Sequence, residues 1–292
     1  MNIFEGKCSV EDTAVEAANG KWSAVHRGYY NDPYISKFVP NKQLKLAHQN
    51  LGSYFRVKFI HDGAVKFHDI YGDQSQVVVL GCGYDTLFWI LRDKSIFFKR
   101  WYDIDKASVI SKKLEVINSD DIFNPMEGYY TNVINFEESD NFIQSLENFD
   151  ISLPTLFIDE FSMIYMKKRS VHKMMKSIAH LKNSCFISYG MTLPNDDFGE
   201  LVKDTFNIVG IPLKSYDETD TIEKSISSLL KFGFPYANAI DSDQGIRKML
   251  DAEDKVRISH LDFFDDQNHL IYTMKHYLSR VSGCEEFVKI IP

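Results

Sequence analysis

The residues best arranged for chemistry lie at a glycine turn that follows a short apolar run. Residues 77–86 read VVVLGCGYDT, so Gly81 and Gly83 come directly after a strand-like segment. Glycines at such a turn let the backbone approach a ligand closely where a helix begins. A dinucleotide fingerprint has a third glycine where this chain has Thr86, which disfavours a ligand with a pyrophosphate. By itself, the pattern fits a tight strand-to-helix turn equally well.

Acidic side chains follow the next strand-like run, residues 100–105. Asp103 and Asp105 lie about 20 residues beyond the second glycine, the spacing at which an acid meets the ribose of an adenosine group. Such a carboxylate accepts hydrogen bonds from both ribose hydroxyls. We prefer Asp105 because it ends the run. With the missing third glycine, this indicates S-adenosylmethionine rather than a nicotinamide dinucleotide as the ligand.

Polar residues also follow the third and fourth runs. Asn132 can accept from an adenine amino group, although asparagine is an ordinary turn residue too. Asp159 and Glu160 interrupt the near-apolar stretch LFIDEFSMIYM, where acids are rarely placed without a partner. We expect Glu160 to face the positive sulfonium or ammonium group of the cofactor. An acid favoured by a helix N-terminus is the alternative.

Short apolar runs separated by helical stretches occupy the chain from residue 76 onwards. They are residues 76–80, 100–105, 127–133, 153–158, 184–191, 234–240 and 277–281. Strands that alternate with helices predict an α/β fold with a mostly parallel sheet, which binds ligands at the carboxyl ends of its strands.

Two helices are predicted ahead of the sheet, over residues 10–28 and 51–71, because their apolar residues recur at spacings of three and four. No linker or repeat divides the chain. We therefore expect one domain over residues 1–292, with a helical cap over about residues 1–75. The core follows over about residues 76–292, with a helical lid insertion at about residues 195–232.

Composition excludes several classes of protein. Lys and Arg total 33 and Asp and Glu total 41, so the net charge of −8 argues against binding nucleic acid. No apolar run approaches the roughly 18 residues of a membrane helix, and the acidic, polar start does not resemble a signal peptide. We expect a cytoplasmic or nuclear protein. The cysteines form no CxxC pair and the histidines no cluster, so no metal site is expected.

Several segments resemble the leucine carboxyl methyltransferase family. The opening carries DTA, GKWSA and GYYNDPY within residues 12–34, and the GYxxDPY part is much more specific than the glycine turn. The resemblance runs nearly end to end, through YFRV (54–57), LGCGYDTLFW (80–89), LPTL (153–156), Glu160, LDFFD (261–265) and MKHY (274–277).

This resemblance implies a class I S-adenosylmethionine-dependent methyltransferase fold, with a Rossmann-like, seven-stranded sheet and a helical cap over the pocket. It implies methyl esterification of the C-terminal leucine α-carboxylate of the protein phosphatase 2A catalytic subunit by a monomer. The residues that match the family's cofactor contacts are Lys21, Arg56, Gly81, Asp105, Asn132, Val133 and Glu160. At position 132 the family more usually has Asp; Asn keeps an acceptor but loses the charge.

The implied chemistry needs no general base. A C-terminal carboxylate has a pKa of about 3.3–3.7 and is already a nucleophile at neutral pH. The enzyme mainly has to align that oxygen with the methyl–sulfur bond and exclude water. We expect Lys21 and Arg56 to hold the methionine carboxylate of the cofactor. Tyr165 and Tyr29 are our candidates for orienting the leucine carboxylate.

Two other functions fit the same residues. A small-molecule carboxyl or hydroxyl O-methyltransferase would turn over a metabolite and leave a phosphatase tail unmodified. A non-catalytic binding module would bind the cofactor weakly and tolerate the loss of Asp105. A nicotinamide dehydrogenase is disfavoured by Thr86.

Overall fold

The computed structural model describes residues 9–138, 141–194, 196–215, 221–264 and 266–292. The first eight residues of the expected cap therefore lie outside the described residues. The same holds for Asn195 and residues 216–220 of the expected lid, and for Asp265 of the LDFFD segment.

All seven predicted runs form strands of one sheet. The strands are β1 (Gln76–Leu80), β2 (Arg100–Asp105), β3 (Tyr129–Val133), β4 (Thr155–Glu160), β5 (Ser184–Met191), β6 (Tyr236–Asp241) and β7 (Tyr277–Gly283). Their order is β3-β2-β1-β4-β5-β7-β6, and only β7 runs antiparallel to its neighbours. The chain leaves β1 towards one edge and returns at β4 towards the other. The carboxyl ends of β1 and β4 therefore flank the crevice in which such sheets bind ligands.

Helices cover both faces of the sheet. They are α1 (Asp12–His26), α2 (Ala47–Tyr71), α3 (Leu87–Asp93), α4 (Ala107–Ser119), α5 (Lys168–Ala179), α6 (Asp197–Ile208), α7 (Ile222–Phe232), α8 (Ser242–Met249), α9 (Ala252–Leu261), α10 (Gln267–Met274) and α11 (Glu285–Val288). Among the described helices, none has both the length and the apolar character needed to cross a bilayer.

The core has two layers because side chains alternate along each strand. Val77 and Val79 of β1 pack in the layer that contains the apolar residues of α2 and α11. Val78 and Leu80 pack in the opposite layer, against α5 and α7. Burial on both faces explains why β1 reads as a continuous apolar run.

The two helices of the expected lid range have different surroundings. Residues of α6, among them Leu201 and Phe206, face the large cavity described below. Helix α7 instead buries Leu229 and Phe232 against the sheet layer of α5. Of the two helices, only α6 therefore lies where a lid would lie.

Candidate functional site

A cavity of about 820 Å³ opens at the carboxyl ends of β1 and β4, between the sheet and helices α1 and α2. This volume lies within the range of about 300–1,000 Å³ that is usual for ligand pockets. Of the predicted site residues, those that line it are Lys21, Arg56, Gly81, Asp105, Glu160 and Tyr165. Residues that are up to 144 positions apart in the sequence, from Lys21 to Tyr165, thus share one wall.

The glycine turn approaches both the cavity and the turn after β4. Gly81 has φ +67°, in the left-handed region that favours glycine. A Cβ atom at Gly81 would lie 2.3 Å from the Cβ of Ser162. Thr86 is buried, and its hydroxyl donates to Oδ2 of Asp32 at 2.7 Å. The residue in place of the third glycine therefore ties the turn to the GYYNDPY segment.

Asp105 points its carboxylate at the glycine turn. Its Oδ2 accepts from the Gly83 amide and its Oδ1 from the Lys106 amide, both at 2.8 Å. Burial raises the pKa of Asp105, and these two hydrogen bonds only partly offset the effect. Each oxygen keeps a lone pair for a further donor. Asp103 instead lies in a buried network, in which Trp101 and Lys113 donate to it.

Four charged side chains form a cluster at the end of β4, which we call the charged cluster: Lys21, Asp85, Glu160 and Arg56. Nζ of Lys21 donates to Oδ2 of Asp85 at 2.9 Å and to Oε2 of Glu160 at 3.0 Å. Nε of Arg56 lies 2.9 Å from Oε1 of Glu160, at ion-pair distance but without hydrogen-bond alignment. These side chains are only 7–14% exposed.

The opposite charges in this cluster stabilise the ionised forms of Lys21 and Asp85. Burial alone would lower the pKa of Lys21, but the carboxylates of Glu160 and Asp85 outweigh it, and the pKa is raised. Burial alone would raise the pKa of Asp85, but Lys21 and Lys113 outweigh it, and the pKa is lowered. The cluster therefore offers two cations and two carboxylates to a ligand. Asp85 was not among the expected site residues.

The two tyrosine candidates have different positions. Tyr165 lines the cavity, and burial raises its pKa to about 12 although a hydrogen bond with Thr13 opposes this. Tyr29 is fully buried, and its hydroxyl donates to Oδ2 of Asp262 at 2.9 Å. Tyr29 is absent from the described cavity wall, so its expected role in orienting a substrate is not supported by its position.

The two residues expected to contact adenine precede the cavity-lining residues of this segment. Asn132 and Val133 are not among the described residues of the cavity wall, whereas Asn135 and Phe136 are. The reason is the register of the edge strand: β3 pairs with β2 up to Val133 opposite Asp105. Val133 is 58% exposed, and only the residues after the strand bend over the cavity. The structure therefore brings the residues three positions onward, rather than Asn132 and Val133, to the cavity wall.

Helix α10 forms a part of the cavity wall that the sequence does not predict. His269, Thr273 and Met274 line the cavity from α10, which belongs to the connection between β6 and β7. No local pattern identifies this helix as a wall of the site, because its place above the carboxyl end of the sheet is set by tertiary contacts.

Comparisons with known proteins identify the family of this chain. The family model for leucine carboxyl methyltransferase matches residues 10–179. Leucine carboxyl methyltransferase 1 of Caenorhabditis elegans is 26% identical and covers 94% of this chain and 91% of its own. The Bos taurus protein of the same name is 28% identical, over 92% of this chain and 87% of its own. Human tRNA wybutosine-synthesizing protein 4 is 23% identical over 92% of this chain, but over only 43% of its own length.

Solved structures show the same fold at low sequence identity. A Thermobifida fusca protein proposed to be a methyltransferase superposes with a TM-score of 0.56, at 11% identity over 96% of both chains. This likeness, together with the strand order, gives the class I methyltransferase fold. The family model covers more than half of the residues, and so the chain belongs to the leucine carboxyl methyltransferase family and is a methyltransferase.

Proposed function

We propose that this protein uses S-adenosylmethionine to methyl-esterify the C-terminal leucine α-carboxylate of the protein phosphatase 2A catalytic subunit. The observation that carries the proposal is the charged cluster beside the glycine turn. Lys21, Arg56, Asp85 and Glu160 meet there at the carboxyl end of β4, with Asp105 on the neighbouring side of the cavity.

The donor set fits S-adenosylmethionine better than a dinucleotide. The methionine end of the cofactor is a zwitterion, and the cluster supplies cations for its carboxylate and carboxylates for its ammonium. A pyrophosphate would instead meet Asp85 and Glu160. Asp105 would take the ribose hydroxyls, and Gly81 would let the backbone approach the cofactor. We assign the adenine contact to Asn135 and Phe136 rather than to Asn132 and Val133.

The residues of this chain bind, orient and shield the reactants. Bound S-adenosylmethionine supplies an electrophilic methyl group on a sulfonium. The acceptor carboxylate is already ionised at neutral pH, so no side chain has to remove a proton. Tyr165, whose pKa is raised to about 12, keeps its proton and can donate a hydrogen bond to that carboxylate. Met274 and Phe198 line the same cavity and exclude water from it.

The protein substrate is proposed from two supports. Relatives that cover about nine-tenths of this chain carry the name leucine carboxyl methyltransferase 1. The cavity also has apolar walls suited to a leucine side chain, contributed by Leu201, Val202 and Met274. The link to protein phosphatase 2A rests on the family resemblance.

The test is transfer of a radiolabelled methyl group from S-adenosylmethionine to the purified phosphatase catalytic subunit. We expect labelling of the intact subunit and none of a subunit that lacks its last residue. A subunit with an amidated C-terminus should stay unlabelled, because the amide removes the nucleophilic oxygen. Continued labelling of the amide would move the acceptor elsewhere. Turnover of small carboxylates without labelling of the phosphatase would favour a small-molecule methyltransferase.

A further inference from the structure

A second, smaller cavity lies behind the turn that follows β4, in the core layer of α5 and α7. Its volume is about 50 Å³, and Asp159, Arg280 and Ser225 contribute to its wall. Phe161 and Met191 line both this cavity and the large one. The second cavity is therefore a neighbour of the candidate cofactor site, separated from it by the end of β4 and β5.

Arg280 brings a buried positive charge to this space. It lies on β7, and its side chain is only 13% exposed. Its Nη2 is 3.7 Å from Oδ2 of Asp159, which is too far for a hydrogen bond. Oδ1 of Asp159 already accepts from Ser162 and Met163. Nε of Arg280 has no hydrogen-bond partner among the described residues.

Ser225 adds a second unsatisfied group to the same wall. This residue of α7 is 1% exposed, and its Oγ has no hydrogen-bond partner within the described part of the chain. Buried polar groups nearly always have a partner, and a buried guanidinium without full pairing is costly. The wall of this cavity therefore includes two residues with hydrogen-bonding capacity that the described residues leave unused.

The lining and size limit what the occupant can be. Lys168, which is exposed, also lines the cavity, so one part of the cavity wall lies near solvent. The remaining wall is largely apolar, with Met175 and Phe186. A guanidinium and a hydroxyl are donors that suit an oxyanion. The volume of about 50 Å³ exceeds the ~10–15 Å³ that one water needs, but it is too small for a nucleotide.

We propose that this second cavity binds a small inorganic oxyanion, of the phosphate or sulfate class, between Arg280 and Ser225. The site shares no charged residue with the charged cluster. Its occupation therefore does not depend on the proposed methyl transfer, and the test can be made without that reaction.

The test measures binding of inorganic phosphate to the full chain, by calorimetry and by thermal melting against sodium chloride of equal ionic strength. We expect a saturable rise in melting temperature that persists with saturating S-adenosylhomocysteine. Arg280→Gln should abolish the rise. Ser225→Ala should weaken phosphate binding about 2- to 10-fold, as for one lost hydrogen bond. Arg247→Gln, which changes an exposed arginine of α8, is the matched control and should bind phosphate normally.

Three results would overturn the proposal. A non-saturating rise of equal size in the wild type, Arg280→Gln and Arg247→Gln would mean a general salt effect on a water-filled cavity. Displacement of phosphate by S-adenosylhomocysteine would mean that the ion binds in the large cavity. If Arg280→Gln does not fold, Ser225→Ala decides, and an unchanged phosphate affinity in that variant counts against the site.

Discussion

Asp105 holds the glycine turn through the amide of Gly83, also accepts from the amide of Lys106, and would receive the ribose of the cofactor. We expect Asp105→Ala to weaken binding of S-adenosylhomocysteine by about 1.5–3 kcal/mol, the value of hydrogen bonds to a charged group. Calorimetry measures this loss. Asp69→Ala, on the exposed face of α2, is the control and should bind normally. Equal affinities for the two variants would remove Asp105 from the cofactor site.

A variant of Tyr165 can distinguish an effect on substrate orientation from an effect on cofactor binding. Tyr165→Phe removes only the hydroxyl, so we expect kcat/KM for the phosphatase to fall about 10-fold. Affinity for S-adenosylhomocysteine should stay unchanged. Tyr236→Phe, which alters a tyrosine that is 45% exposed on β6, serves as the control. An unchanged kcat/KM in Tyr165→Phe would leave the substrate carboxylate to another donor.

The charged cluster illustrates which side chains can be predicted without a structure. Lys21 and Arg56 are predicted because the segments around them resemble one family, and Glu160 is predicted also because it lies in a near-apolar stretch after a strand-like run. Asp85 was visible in the glycine motif, but its pairing with Lys21 was not, because the two residues are 64 positions apart in sequence. Such a pair is created by the packing of α1 over the sheet, and no local spacing records it.

At the scale of elements, the turn between β1 and α3 depends on close contact with the turn after β4. Gly81→Ala would combine a left-handed backbone with a Cβ 2.3 Å from that of Ser162. Gly233, which follows α7, also has a left-handed backbone, with φ +115° and ψ 5°, but a Cβ there meets its nearest atom at an ordinary contact distance of 3.7 Å. The two glycines therefore separate backbone strain from steric clash.

We expect Gly233→Ala to lower the free energy of unfolding by about 1–2 kcal/mol through backbone strain alone. Gly81→Ala should cost about 1–3 kcal/mol more, because the new methyl group is overpacked against Ser162. Adding Ser162→Gly to Gly81→Ala should recover part of that extra cost, which denaturant unfolding can measure. Equal costs for the two alanine variants, or no recovery in the double variant, would contradict the close contact.

The sheet could be predicted from the sequence, while the elements above it could be predicted only in part. Strand β1 is buried on both faces, and such strands read as unbroken β-branched runs. Helix α2 buries residues at spacings of four, among them Leu51, Phe55 and Phe59. Asn132 lies outside the cavity wall because it belongs to the half-exposed edge strand β3, whose end is set by pairing with β2. The positions of α6 and α10 above the cavity depend on long connections that carry no periodic signal.

At the scale of the whole molecule, Asp262 joins the front helices to the connection between β6 and β7. Its Oδ1 accepts from Arg27, and its Oδ2 accepts from Tyr29 at 2.9 Å and from Asn50 of α2 at 3.3 Å. Asp262 directly follows α9, and α10 comes next in the chain. This junction therefore ties the end of α9, the helix that precedes α10, to the front helices. Tyr29 contributes one of the hydrogen bonds of this junction.

Asp262→Asn should lower the free energy of unfolding by about 1–3 kcal/mol near neutral pH, because three donors lose a charged acceptor. Burial raises the pKa of Asp262, but the hydrogen bonds from Arg27, Tyr29 and Asn50 outweigh it, and the net pKa is lowered. The charge therefore stabilises the fold above the unfolded pKa of about 3.9, and this stabilisation disappears as the pH falls through the folded value.

Denaturant unfolding should thus show a difference in the free energy of unfolding between wild type and Asp262→Asn at about pH 7, and this difference should shrink below about pH 4. Glu285→Gln, in an ion pair whose side chains are 58–61% exposed, should change little at either pH. A difference for Asp262→Asn that is independent of pH would mean that packing, rather than charge, holds the end of α9 to the front helices.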